Sequence, residues 1–583
     1  MKALTRNSYI VSKALRTFVM AAVLTAAASQ LAHTADSMIV GHVVGTDAVS
    51  AINLVLPLVE VLNCMAFLIC FGANAICAQA IGRHDMDKAA RTFTATVITV
   101  MTLGVAVALG ISLFSREIVD LMSDEPRLNG MAYDYIHTYA MGAWLQMMSY
   151  GLSLFVATDG RPRMVTVAVV AGAAVNILVD FVTISVMGMG VDGAALGSLS
   201  MFAVNIVILA AWLRRPESSY RFKWPGRSFA AIFKENVREG APVTLSNSLM
   251  AVTIMLINDI VLRYLGSDGL FIWSVCLQML LLSYVFIDGV IESMFAVGGV
   301  LVGERDLRGL EILVRQALII IAVLVALVIF IMYVPGVVGR FFGVEPGSAL
   351  SLELDRVLRI FALMLIPFAV TQILLSTYQI MGHEKASVVT AVAQTVMLVV
   401  GVWSVAKMEG VELWWGFVLA CVLVLLFQVG FTTVRSRLIK AHISPLTMIP
   451  RDTGGPTFDR SVCYDTGDVC ATLADIDAFL KNSGVPAAEA FKINLFCEEL
   501  MTNIATYAQG KITSHTFDVH IQINADGIFV TLKDAGRPFD PVTAGRVAGA
   551  NGHMGLRLVT GIVPDITYKY MYGQNTVFIC HKL

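Results

Sequence analysis

Twelve apolar segments, each long enough to cross a lipid bilayer as a helix, dominate the sequence. Inside a bilayer the backbone has to satisfy its own hydrogen bonds, which restricts such segments to helices or closed barrels. Only 14% of the 583 residues are charged, whereas soluble domains are about one quarter charged. We therefore predict an all-α polytopic membrane protein with spans near residues 17–42, 51–78, 92–114, 131–156, 164–187, 192–213, 241–264, 270–300, 311–333, 357–380, 386–406 and 413–433.

Positive charge is concentrated in the loops on one side of this array. The central loop, residues 214–240, alone holds seven Lys or Arg residues, whereas the opposite loops are short and richer in Asp and Glu. By the positive-inside rule the basic side is cytoplasmic, and twelve spans place both termini there, with the chain in the cell (inner) membrane. The net charge of −2 and the lack of a basic patch with interleaved aromatic residues indicate no nucleic-acid partner.

The two halves of the membrane region resemble each other. The matching glycines are Gly45 with Gly266, Gly82 with Gly303, and Gly160 with Gly382. The first two of each half are 37 residues apart in both halves, so chance recurrence of loop glycines is the weaker explanation. Two six-helix repeats of this kind are typical of transporters with a binding site near the middle of the membrane.

The composition changes after the last span. A Pro- and Gly-rich stretch there reads as a linker, and the residues beyond it have the composition of a soluble α+β domain with helices against a largely antiparallel sheet. We predict the following division: an N-terminal six-helix lobe (1–213), a cytoplasmic loop (214–240), a C-terminal six-helix lobe (241–435), a linker (436–457) and a small cytosolic domain (458–583).

Three polar side chains stand out within the apolar segments. Asn176 and Asp180 lie one helical turn apart, and Asp36 reaches a similar depth in the first span. A carboxylate inside a span is costly and indicates a functional site, unless Asp180 lies near enough to the end of its span to reach water. Two carboxylates and an amide at one level suit Na⁺ or a shared proton.

Residues 36–45 (DSMIVGHVVG) and 176–197 (NILVDFVTISVMGMGVDGAALG), with Gln79 and Gly82, resemble the multidrug and toxic compound extrusion (MATE) transporters. The resemblance implies an antiporter in which Na⁺ or H⁺ entry drives the export of small amphipathic or cationic compounds. It also implies that Asp36, Asn176 and Asp180 form the cation site of the N-terminal lobe.

The second half contains no copy of this site, but two further acids lie in its spans. Asp288 and Glu292 are four residues apart and share one face of a helix. They are candidate contacts for the cationic substrate or the ion, or else they line water-filled regions. The sequence leaves both interpretations open.

Three short motifs occur one after another in the predicted soluble domain. FKINLFCEELMTNIATYA places Glu499 and Asn503 one turn apart on a helix. An Asn can ligate Mg²⁺ that bridges phosphates, and a carboxylate one turn earlier can act as a general base.

The other two motifs favour nucleotide contacts. LKDAGRPFDP places Asp534 and Gly536 after a strand, and NGHMGLRLV places Gly552 and Gly555 at the start of a helix. An Asp can accept a hydrogen bond from an adenine amino group, and glycines let backbone N–H groups approach phosphate at a helix start.

The order and spacing of these motifs resemble the GHKL-type ATPase domain of anti-sigma-factor serine kinases. The resemblance implies an ATP–Mg²⁺ site with the following roles: Glu499 as the catalytic base, Asn503 as the magnesium ligand, Asp534 as the adenine contact, and Gly536, Gly552 and Gly555 as the nucleotide loops. The chain lacks a GxxxxGK[ST] P-loop, so ATP is not expected to power transport directly.

Two functions from different classes remain. The first is an ion-coupled efflux antiporter whose cytosolic ATP-binding domain regulates or signals. The second is a membrane-tethered anti-sigma-like serine kinase or switch, with a cytosolic regulatory protein as its substrate and a membrane part that senses a ligand. A lipid-linked precursor flippase is a less attractive third, because Asp36 and Asp180 favour ion coupling.

Overall fold

The computed structural model describes residues 6–581 except 84, 123–125, 343, 346, 409, 439–443, 445, 451–454, 508–515, 525–526, 547–560 and 562–565. The membrane region is helical, as predicted. Its helices are α1 (Tyr9–Val43), α2 (Thr46–Ala66), α3 (Gly72–Gly82), α4 (Met86–Leu113), α5 (Ser115–Met122), α6 (Pro126–Ala140), α7 (Ala143–Thr158), α8 (Pro162–Asp180), α9 (Val191–Leu213), α10 (Phe229–Gly303), α11 (Leu307–Tyr333), α12 (Val337–Phe341), α13 (Ala349–Ile380), α14 (Glu384–Ala406) and α15 (Trp415–Leu438).

Eleven helical stretches in the described residues are long and apolar enough to cross a membrane. The expected span 131–156 differs, because it is divided at Met141–Gly142 into α6 and α7, of 15 and 16 residues. A Cβ on Gly142 would overlap the side chain of Leu199 on α9, so the break lies where another helix packs closely. The chain is a multi-pass membrane protein.

The repeated glycines occupy equivalent places in the structure. Gly45, Gly160, Gly266 and Gly382 all have positive φ angles, and Gly266 interrupts α10 between its two membrane-crossing parts.

Gly82 and Gly303 meet each other. A Cβ on Gly82 would lie 2.9 Å from the Cα of Gly303, and a Cβ on Gly303 would lie 2.8 Å from the Cα of Gly82. This reciprocal contact is what a two-fold relation between repeats produces. It joins α3 to the end of α10.

The C-terminal region forms a separate α+β unit. Its antiparallel sheet has the strand order β1-β2-β3-β5-β4, and helices α16 (Thr466–Asn482) and α17 (Ala487–Tyr507) share an apolar core with it. A short helix, α18 (Pro541–Arg546), follows β3. The strands are β1 (Thr457–Cys463), β2 (Thr516–Asn524), β3 (Gly527–Asp534), β4 (Ile566–Met571) and β5 (Gln574–His581).

The second face of this sheet is polar yet buried. Along β2, Val519 and Ile521 belong to the core shared with the helices, whereas the alternate residues Asp518, His520 and Gln522 are polar and at most 4% exposed. This polar face lies against the end of the helix bundle where α1 begins, where Asn7 hydrogen bonds to Ser461 and Thr516. We call this the proximal end, and the opposite end the distal end.

Arg6 is the centre of the contact between the sheet and the bundle. Its Nη1 lies 2.6 Å from Asp306 in the loop between α10 and α11, and its Nε donates to Asp518 on β2 at 2.9 Å. Asp459 on β1 lies 3.5 Å from the same guanidinium. Its Oδ1 is also within hydrogen-bond distance, 2.8 Å, of His520 Nδ1. The cluster joins the start of the chain, the bundle and the soluble unit.

Arg6→Met should destabilise the protein by about 3–5 kcal/mol, because it leaves buried carboxylates without their cation. Arg263→Met is the matched control, since Arg263 is exposed and pairs with Asp259 on its own helix, and should cost at most about 1 kcal/mol. Thermal unfolding of the detergent-purified protein measures both. Equal unfolding midpoints for the two variants would contradict the burial of this cluster.

Candidate functional site

A cavity of about 610 Å³ lies among the helices of the first half, mostly α1, α2 and α6–α9. Its lining includes the carboxylates of Asp36, Glu60 and Glu292 beside many apolar and hydroxyl side chains. A mainly apolar cavity with a few convergent charged groups is typical of a small-molecule site.

Of the three residues predicted for the cation site, Asp36 and Asn176 line this cavity, and Asp180 lies beside it, next to Asn176. Asn176 Nδ2 donates to Asp180 Oδ2 at 2.9 Å, and Asp180 also interacts electrostatically with Asp36. One oxygen of each carboxylate, Oδ1 in both, is buried without a hydrogen-bond partner among the described residues. Buried carboxylate oxygens without a partner are suited to a cation or a proton.

Gly197 on α9 closes the site from the other side. A Cβ there would lie 1.7 Å from Asp180 Oδ1 and 2.9 Å from Asn176 Nδ2, so only glycine fits at this position. Tyr135 on α6 hydrogen bonds to Ser198 and interacts electrostatically with Asp36 and Asp180. Sequence reasoning did not assign roles to these neighbours, although Gly197 ends the motif that revealed Asp180.

A second polar chain lines the same cavity. Tyr139 donates to Gln146 at 2.7 Å, Gln146 Nε2 donates to Asn63 at 2.6 Å, and Asn63 Nδ2 donates to Glu60 at 3.3 Å. Glu60 and Asn63 are one turn apart in an apolar helix, a sequence signal of the same kind as Asn176 and Asp180.

Asp288 and Glu292 lie on the second part of α10, at a smaller cavity of about 160 Å³. Glu292 lines both this cavity and the larger one, as does Tyr150, whereas Asp288 lines the smaller one. Glu292 therefore stands at the boundary between the two halves, which supports its candidacy more than that of Asp288.

In the soluble unit, Glu499 and Asn503 pair on α17. Asn503 Nδ2 donates to Glu499 Oε1 at 2.8 Å, which leaves the Asn503 amide oxygen as the ligand atom that Mg²⁺ prefers. Both side chains are partly exposed, so a bound phosphate could reach them. The pair fits the donor set of a magnesium–phosphate site.

Asp534 ends β3 and lies among fixed hydrogen bonds. Its Oδ1 accepts from the backbone N–H of Gly536 at 2.8 Å and from Asn575 Nδ2 at 2.9 Å. Burial raises the pKa of Asp534, and the bonds from Asn575 and Gly536 act against that rise. Gly552 and Gly555, the remaining predicted nucleotide residues, lie outside the described residues.

Both the membrane region and the C-terminal unit are similar to known protein families. Residues 21–182 match the MatE family, and residues 465–580 match the histidine kinase-like ATPase domain family. The multidrug export protein MepA of Staphylococcus haemolyticus is 20% identical over 364 residues, which is 62% of this chain and 79% of that protein. MepA of Staphylococcus saprophyticus is 23% identical over 255 residues, 44% of this chain and 56% of that protein.

Solved structures share the membrane fold. An outward-facing multidrug resistance MATE family transporter superposes with a TM-score of 0.67 at 21% identity, covering 76% of this chain and 99% of its own. A MOP superfamily transporter from Pyrococcus furiosus also reaches 0.67 at 21% identity, covering 75% and 99%. The membrane region is therefore similar to the MatE family and shares the fold of MATE transporters, and residues 465–580 are similar to histidine kinase-like ATPase domains.

Proposed function

We propose that the membrane region is an antiporter that exports small amphipathic or cationic compounds in exchange for H⁺ or Na⁺. The observation that carries this is the unpartnered buried oxygens of Asp36, which lines a large cavity, and of Asp180, which lies beside Asn176 of the same lining. Multidrug export by the similar MepA proteins supports the substrate class. The two lobes proposed to move against each other are residues 1–213 and 241–435, joined by 214–240.

The geometry of this site supports ion exchange as the coupling mechanism. One H⁺ or Na⁺ bound by Asp36 and Asp180 would offset one of their two negative charges beside the cavity that would hold the substrate, so a cationic substrate and the ion would compete electrostatically. Such competition is what couples entry of one to exit of the other. Glu60 and Glu292 would hold the substrate's positive charge within the same cavity.

We propose that the soluble unit, residues 458–583 after the linker 436–457, binds ATP with Mg²⁺ and regulates the transporter. Asn503 would hold the metal, Asp534 the adenine amino group, and Gly536, Gly552 and Gly555 the loops around the nucleotide. Glu499 would act as the base if phosphoryl transfer occurs. The proximal end would then be cytoplasmic, where ATP is present, as the basic loops also indicate.

Asp36→Asn and Asp180→Asn should each reduce gradient-driven efflux of a fluorescent cation more than about tenfold, because each removes one charged ligand of the ion. Efflux is measured in vesicles under an imposed Na⁺ or H⁺ gradient, which also identifies the ion. Asp259→Asn is the control, since Asp259 is exposed and paired with Arg263 away from the cavity. Efflux that survives both cavity substitutions would refute the cation site.

Gly197→Ala should impair efflux without any change of charge, because the added methyl group overlaps Asp180 Oδ1. The expected result is a shift of half-maximal efflux to at least about tenfold higher ion concentration, a loss of about 1.4 kcal/mol in ion affinity. Gly110→Ala on α4 is the matched control, because nothing lies within 4 Å of the Cβ that it adds. Unchanged ion dependence in Gly197→Ala would place the ion elsewhere.

Asn503→Ala should weaken binding of a fluorescent ATP analogue about tenfold or more in Mg²⁺, because the metal loses its amide ligand. The same substitution should change binding little in EDTA. Thr502→Ala, an exposed neighbour on α17, serves as the control. Equal affinity of Asn503→Ala and the parent protein in Mg²⁺ would contradict the assignment of the metal ligand.

A further inference from the structure

The turn between β4 and β5 enters the proximal end of the helix bundle. It consists of Tyr572 and Gly573, with φ angles of 55° and 73°. Positive φ at both positions is the geometry of a tight two-residue hairpin turn. Tyr572 is 6% exposed although it lies at a hairpin tip, where side chains normally face solvent.

Tyr572 contacts both halves of the membrane region. Its hydroxyl donates to the carbonyl of Thr158 at 3.1 Å and lies 3.4 Å from the carbonyl of Ala296. Thr158 ends α7 in the first half, and Ala296 lies on α10 in the second. One hydroxyl is therefore shared between two carbonyls that would separate if the halves moved apart.

The residues around Tyr572 form the proximal end, or floor, of the 610 Å³ cavity. Its ring lies 6.1 Å from that of Phe18 on α1, centre to centre. Phe18, Thr158 and Ala296 all line the 610 Å³ cavity. The hairpin tip therefore packs against the residues that line the proximal end of the cavity.

Contacts on either side hold the hairpin in place. Towards the first half, Lys569 on β4 lies 3.3 Å from Asp159, and a Cβ on Gly160 would lie 2.8 Å from the Cβ of Met571. Towards the second half, Lys533 on β3 pairs with Glu304 at 2.5 Å. The soluble unit therefore binds both halves at once.

The two halves are in contact with each other beneath the hairpin. The backbones of Gly82 and Gly303 touch, and a Cβ on Gly299 would lie 2.6 Å from that of Ala78. The docked soluble unit accordingly accompanies a closed proximal end. A unit bound to both halves favours the conformation in which they are together, by its difference in affinity for the two states.

We propose that the β4–β5 hairpin is an autoinhibitory lock that holds the proximal end of the transporter closed. The lock rests on the proposed transport function, because it acts by blocking the opening through which a substrate would enter the cavity. Opening requires Tyr572 to leave the carbonyls of Thr158 and Ala296. The soluble unit is then a gate on transport.

The test measures opening directly, through the accessibility of the cavity floor. Ala157 lines the cavity next to Thr158 and is half-buried. Ala157→Cys is introduced into the full chain with the exposed Cys463 and Cys470 replaced by Ser. A membrane-impermeant maleimide is applied from the proximal side of reconstituted vesicles, and labelling of the same protein without Ala157→Cys is subtracted.

Tyr572→Ala should raise the labelling rate about tenfold or more, because it removes both the hydroxyl and the buried ring. Tyr572→Phe, which keeps the ring against Phe18, should raise it about twofold to fivefold. Phe491→Ala, at an exposed position of α17, should leave the rate unchanged. If Tyr572→Ala does not fold, Tyr572→Phe alone decides.

An unchanged labelling rate in the folded Tyr572 variants overturns the lock. Labelling needs neither an ion gradient nor a substrate, so its outcome is independent of whether efflux occurs. Absence of efflux from both the parent protein and the unlocked Tyr572→Ala variant would refute the proposed transport function, while a raised labelling rate would still show that the hairpin closes the proximal end.

Discussion

The buried ion cluster around Arg6 is the interaction that joins the two parts of the chain. Burial would lower the pKa of Arg6, but Asp306, Asp518 and Asp459 raise it above its ordinary value. Burial would likewise raise the pKa of Asp306, yet Arg6 and His520 hold it below its ordinary value. The pair stays ionised across the ordinary pH range. Because a buried charge without a partner is costly, undocking has to hydrate the whole cluster at once, which favours an all-or-none contact.

The same contact explains why the sheet of the soluble unit has two dissimilar faces. One face packs its apolar residues against α16 and α17, and the other presents polar residues to the bundle. Asn575 links the proposed nucleotide site to the hairpin. Its amide donates to Asp534, and its strand, β5, begins directly after the hairpin turn. A nucleotide bound at Asp534, as proposed, would therefore lie one hydrogen bond from the strand that begins after Tyr572 and Gly573.

The sequence predicted the helical membrane region, the α+β domain and both family resemblances, and these predictions are confirmed. It also selected Asp36, Asn176 and Asp180, which the structure places together, because an acid in an apolar helix is visible in one dimension. Their role as ion ligands stays a prediction. The break at Gly142 was not foreseen, since it depends on Leu199 of another helix. Docking was not foreseen either, because Arg6 and Asp518 are 512 residues apart and neither stands out in its own segment.

The single helix α1 runs past the docking cluster, the cavity floor and the candidate ion site. Arg6 precedes it, Phe18 forms part of the cavity floor, and Asp36 belongs to the candidate ion site. At 1.5 Å per residue, the 18 residues from Phe18 to Asp36 span about 27 Å, nearly the apolar thickness of a bilayer. If ion binding at Asp36 shifted α1, Phe18 would move with the helix and change its contact with Tyr572. An ion at Asp36 and the hairpin at Phe18 would both act on this helix, so the proposed ion site and the proposed lock would influence each other through α1.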